Sequence, residues 1–173
     1  EFKKNRPWLD LDNGEIVSVI KKNIKDVAID WIYQIEDFSI ILKKIEEYEL
    51  IFIHIDHQSI NYAILDSEKM KRYEHKIIIY GYGVLFSNDL RKFEYSICND
   101  DIHDVIKIAS NILSVHLEYN ENELEASDFS DLPLFTIENY PIRYSKGCEN
   151  NCPYCERSLE NNKVYKTPKI FEK

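Results

Sequence analysis

"KIIIYGYG", residues 76–83, is the stretch that decides the fold. Its apolar residues run on without alternation, as a strand covered on both faces requires, and two glycines then mark a tight turn. "LIFIHI" (50–55) is a second run of the same kind. Between the two, residues 59–73 bring Ile60, Ala63 and Ile64 together at helical spacing. Two buried strands joined through a helix pair in parallel, because a parallel connection needs a crossover of about a dozen residues or more.

The same rhythm extends outward in both directions. Upstream, residues 13–23 set Ile16, Val17 and Ile20 on one helical face, with Asp12 or Asn13 able to cap it. "DVAIDWI" (26–32) reads as a strand, and Phe38, Ile41, Leu42 and Ile45 then recur at helical intervals. Downstream, "FEYSIC" (93–98) reads as a shorter strand. Residues 101–113 form a helix whose stripe is Ile102, Val105, Ile106, Ala109, Ile112 and Leu113.

This alternation predicts an α/β domain over residues 1–115, a doubly wound, flavodoxin- or Rossmann-like parallel sheet with helices on both faces. Ligands of such sheets sit at the carboxyl ends of the strands, which points to the loops after Ile55, Tyr80 and Cys98. Gly81 and Gly83 there are either ligand contacts or only a tight turn. Alternation puts His54 inside the sheet's packing as a hydrogen-bonded core histidine, and His57 in a ligand-facing loop. Cys98, at a strand end, reads as a small core residue. "EFK" reads as the tail of a strand, so the chain is expected to start inside its domain.

Composition narrows the function. Hydrophobic residues make up 44% and charged residues 31% of the 173, a folded rather than disordered balance. No run approaches the roughly 18 apolar residues of a membrane span and no signal peptide opens the chain, so a cytoplasmic location and no membrane partner are expected. With 31 acidic against 22 basic residues the formal charge is −9, which disfavours nucleic acid as a partner of this segment. The acids are uneven: seven fall between Leu117 and Asn139, and no Lys or Arg occurs between Lys107 and Arg143. Residues 116–139 therefore read as an acidic connector whose tail, "DLPLF", is apolar enough to dock on a surface. "YPIRYS" (140–145) then reads as a short strand leading to "KGCENNCPYCERS" (146–158).

Three of the four cysteines, Cys148, Cys152 and Cys155, lie within eight positions. Three thiolates so spaced can hold three corners of an iron–sulfur cube, leaving a fourth iron without a protein ligand. Gly147 lets the backbone turn tightly and Pro153 restricts the loop between ligands. Zinc is the alternative; its fourth ligand would be Cys98 or a histidine, and the chain would then be a non-catalytic α/β module with a zinc-binding cysteine tail. "CPYC" is also a thiol-redox tetrapeptide of the glutaredoxin type.

"PIRYSKGCENNCPYCERS" resembles the cluster loop of radical S-adenosylmethionine enzymes, whose motif is C-x3-C-x-aromatic-C. The resemblance implies a 4Fe–4S cluster on Cys148, Cys152 and Cys155, with S-adenosylmethionine bound at the open iron and Tyr154 near its adenine. It further implies an electron donor, reductive cleavage of S-adenosylmethionine to a 5′-deoxyadenosyl radical, and hydrogen abstraction from a substrate the sequence does not identify. Residues 140–173 would be the first strand and cluster loop of a truncated barrel, so the chain is expected to be the amino-terminal part of a larger enzyme and inactive alone. More weakly, "KIIIYGYG" is similar to the glycine turn that accommodates the nucleotide tail in the cobalamin-binding subclass, which makes Gly81 and Gly83 cofactor contacts and cobalamin a further candidate cofactor. The pattern departs from that subclass: Tyr82 separates the glycines, the turn histidine is absent, "ICNDD" replaces an acidic turn, and no D-x-H-x-x-G offers a lower cobalt ligand.

Overall fold

A computed structural model describes residues 11–31, 39–56, 59–120 and 127–131. Its helices are α1 (Leu11–Asn23), α2 (Ser39–Lys44), α3 (Ile60–Lys71) and α4 (Ile102–Leu113). The strands among the described residues are β1 (Ile51–His54), β2 (Ile77–Tyr80) and β3 (Ser96–Ile97), in one parallel sheet of order β1-β2-β3. The expected α/β class and parallel sheet are therefore present.

The middle strand organises the rest. All of β2 is buried, and because side chains alternate across a strand it feeds two cores at once. Ile77 and Ile79 join Ile53, Ala63, Met70, Leu90 and Phe93 on the α3 face. Ile78 and Tyr80 join Ile16, Val19, Ile20, Ile102, Val105 and Ala109 on the face covered by α1 and α4. Burying each such isoleucine contributes about 1.5–3 kcal/mol. The Tyr80 hydroxyl donates to Asn13 Oδ1 at 2.5 Å, so a phenol taken from water keeps a partner.

Several local expectations need correction. Residues 27–31 form no strand pairing among the described residues. Val27 and Ile29 do pack on the α1/α4 cluster beside Leu50 and Phe52, so alternation set which side chains go inward without supplying a ladder. Asp30 instead accepts the Tyr48 hydroxyl at 2.6 Å, and that bond, with burial, pushes the phenol up to about 12. Residues 93–98 shrink to a two-residue strand because the turn at Leu90–Lys92 runs up to Phe93 and sends its ring to the α3 core. Asn13 lies inside α1 and serves Tyr80 rather than capping the helix. The helix expected over 101–113 begins at Ile102, and Asp101 caps it by accepting the His103 N–H at 3.0 Å. Phe38, His57 and the barrel portion, residues 140–173, lie outside the described residues.

The acidic connector is fastened to the domain at two places. Asn23 Oδ1 accepts the Glu118 N–H at 3.0 Å, and the Tyr119 hydroxyl donates to the buried Glu15 at 3.2 Å. Further on, the Asp128 N–H donates to the Gly14 carbonyl at 2.9 Å, and Phe129 is buried with its ring centroid 5.6 Å from that of Trp31. Gly14 makes this seat: a Cβ there would lie 2.5 Å from Phe129 Cζ and 2.6 Å from Ser127 Cβ. Lys21 closes it, standing 3.3 Å from Asp128, pairing with Asp131 and donating to Ser130 Oγ at 2.7 Å. Thus residues 127–131 dock on α1, while residues 132–135 of the "DLPLF" segment lie outside the described residues.

In an ordinary helix Gly→Ala stabilises by about 1 kcal/mol, but Gly14→Ala must collide with the Phe129 seat. It is expected to leave the helical circular dichroism intact while chymotrypsin cuts after Phe129 faster than in wild type; an unchanged cleavage rate would contradict this seat.

The Lys21 cluster gives a pH signature. Burial alone would lower Lys21, but its bonds to Asp131 and Asp128 hold it above its ordinary value. Burial alone would raise Asp128, but the Ser130 backbone and hydroxyl and the Lys21 ammonium hold it below the usual carboxylate range. The Asp128 contribution is therefore complete above its unfolded value of 3.8 and is lost as pH falls through the depressed folded value. The Lys21 contribution is complete below 10.5 and is lost as pH rises through the raised folded value. Both groups are part-exposed, so Asp128→Asn should cost only about 0.5–1 kcal/mol near neutrality. Urea midpoints across pH should show that deficit shrinking in acid, and a constant deficit would contradict the assignment.

Candidate functional site at the carboxyl edge of the sheet

The loops after β1, β2 and β3 converge at one end of the sheet, where a doubly wound domain holds its ligand. They are bonded to one another by main chain. The Ile55 N–H donates to the Tyr80 carbonyl at 2.8 Å, Gly81 N–H to Asn99 O at 3.0 Å, and Gly83 N–H to Ile55 O at 2.9 Å. Asp56 turns into α3 through a reciprocal pair: its N–H donates to Ser59 Oγ at 3.0 Å and its Oδ1 accepts the Ser59 N–H at 2.8 Å.

The two glycines are required by this closure. Gly81 has φ 113°, a conformation that L side chains rarely adopt, and a Cβ there would lie 2.4 Å from Ile55 O and 3.0 Å from the His54 ring. A Cβ on Gly83 would meet Ile55 Cγ2 at 2.6 Å and Asp56 O at 2.7 Å. Of the two sequence readings, the tight turn accounts for both positions.

Over Gly81 lies a polar pair. His54 Nε2 is 3.2 Å from Asp100 Oδ1, with 23% and 18% of the two side chains exposed. The His54 ring also lies 5.0 Å from the Tyr80 ring. Alternation assigned His54 its hydrogen-bonded state, but the residue sits at the rim beyond both cores. It is the last residue of β1, next after the buried Ile53, and its own side chain is only partly covered. The pairing with Asp100 was missed, although "ICNDD" ends β3 in acids as "HI" ends β1 in a base. Asp100 lies two strands away, and a shared carboxyl edge does not say which of its loop side chains meet.

Beside β3 a groove of about 430 Å³ runs along α4, lined by Cys98, Asn99, Asp104, Lys107 and Asn111. Cys98 itself is half-buried and packs on the α3-side core, as a small core residue does. Among the described residues no group of three or more His, Cys, Asp or Glu is placed to hold a metal, and no helix is long and apolar enough to cross a membrane. Cys148, Cys152, Tyr154 and Cys155, the sequence-level ligand set, lie outside the described residues.

The glycine turn gives a direct test. Gly81→Ala and Gly83→Ala each force backbone to move and are expected to destabilise by about 2–4 kcal/mol, read as a drop in urea midpoint. At Gly83, whose φ is not positive, a glycine kept open only for a ligand would tolerate alanine with under about 1 kcal/mol lost.

In comparisons with known proteins, the chain matches no family model, no curated protein and no solved structure.

Proposed function

We propose that this chain is the cluster-bearing amino-terminal part of a radical S-adenosylmethionine enzyme, with a parallel α/β domain ahead of the cluster loop. The observation that carries the reading is the C-x3-C-x-Tyr-C spacing of Cys148, Cys152, Tyr154 and Cys155. The three thiolates would ligate three irons of a 4Fe–4S cluster, and the loop offers no fourth thiolate between them. Pro153 limits the rotation of the segment that presents Cys155, and Tyr154 offers an aromatic face to the adenine of S-adenosylmethionine. When bound and reduced by an electron donor, the cluster supplies the electron that cleaves S-adenosylmethionine. The domain architecture supports the reading only at the coarser level of a parallel α/β sheet preceding the loop.

The test is elemental. Protein prepared without oxygen, and a variant with Cys148, Cys152 and Cys155 all changed to Ala, are assayed for iron, acid-labile sulfide and zinc. About four irons and four sulfides per chain, lost in the variant, are expected. Zinc at about one per chain, equally lost in the variant, would replace this reading with a structural metal site. Neither metal, together with a disulfide between Cys152 and Cys155 that dithiothreitol reverses, would replace it with thiol redox chemistry.

A further inference from the structure

The similarity of "KIIIYGYG" to the cobalamin-binding subclass assigns Gly81 and Gly83 to cradling a nucleotide tail. A glycine cradle works by leaving to a ligand the volume its missing side chains would fill. In this fold the chain fills that volume itself. The Ile55 carbonyl lies 2.4 Å from the Cβ position of Gly81 and 2.8 Å from that of Gly83, and the Asp56 carbonyl lies 2.7 Å from the latter. The amides are spent as well: Gly81 donates to Asn99 and Gly83 to Ile55, so neither is left to bind a phosphate. The charge is also adverse, since Asp56, Asp100 and Asp101 belong to the same edge and a nucleotide tail brings a phosphate anion.

We infer that this α/β sheet binds no cobalamin, because its carboxyl edge is a closed clasp in which His54 of β1 and Asp100 beyond β3 meet over Gly81. The pair spans the three described strands: β1 and β3 lie on opposite sides of β2, and His54 Nε2 and Asp100 Oδ1 approach to 3.2 Å above the glycine that separates them. Any side chain at position 81 would stand against the His54 ring, whose Cδ2 and Nε2 are 3.0 and 3.1 Å from the Cβ position. The glycine that a cofactor cradle needs is thus retained for the clasp. The inference does not rest on the iron–sulfur proposal, and its failure would leave that proposal standing.

Two measurements on the full chain test it. Incubated in the dark with excess methylcobalamin and passed through gel filtration, the protein is expected to elute free of cobalt. Cobalt co-eluting at about one per chain, with the spectrum of a cofactor whose nucleotide base has left the metal, would overturn the inference. The clasp is tested separately by a cycle of His54→Ala, Asp100→Asn and the double variant. Each single change is expected to lower the folding equilibrium constant about three- to tenfold, and the double variant no further than the larger single change. Additive losses would show that the two residues act apart and would overturn the clasp.

Discussion

The burial of β2 on both faces is the constraint from which the rest follows. A strand with no solvent face must divide its residues between two cores, and Ile77 and Ile79 go one way while Ile78 and Tyr80 go the other. Each core then needs its own cover, α3 below and the α1/α4 pair above. Such a strand cannot extend past the helices that roof it. At Tyr80 the cover ends, and the chain leaves through the one residue able to take φ 113°.

What happens at that exit shapes the chemistry available to the domain. Strand ends of an open parallel sheet ordinarily fan apart and leave amides for a ligand. Here Ile55, Gly81, Gly83 and Asn99 spend their main-chain groups on each other. The edge is thereby rigid at the level of backbone, and its side chains are left to pair across the top. The groove along α4 lies beside β3 and takes in Cys98 and Asn99 just past its carboxyl end.

Much of this was legible in the residues. Continuous apolar runs marked β1 and β2, of which β2 is buried throughout and β1 only in part, and the α4 stripe goes inward at Ile102, Val105, Ile106 and Ala109. Periodicity failed where hydrogen bonding decides: 27–31 shows the inward Val27 and Ile29 that alternation demanded, yet pairs with no strand. It failed again at "SDFSD", where four polar residues hide one Phe129 whose partner is the absence of a side chain at Gly14. A missing methyl one hundred positions away leaves no periodic trace. The cysteine spacing speaks to ligand chemistry directly and needs no fold to be read, whereas the His54–Asp100 pair needs the strand order before it exists at all.

The seat of Phe129 on α1 also fixes a tether. Asp131 is held on Lys21, so Cys148, further along the chain, can lie at most about 60 Å from it at full extension. Were the berth at Gly14 lost, the last of these anchors would be Tyr119, held on Glu15, and the same contour would grow to about 100 Å. A shorter leash raises the local concentration of one module around the other without any contact between them. One glycine in the first helix therefore shortens the longest span open between the sheet and Cys148.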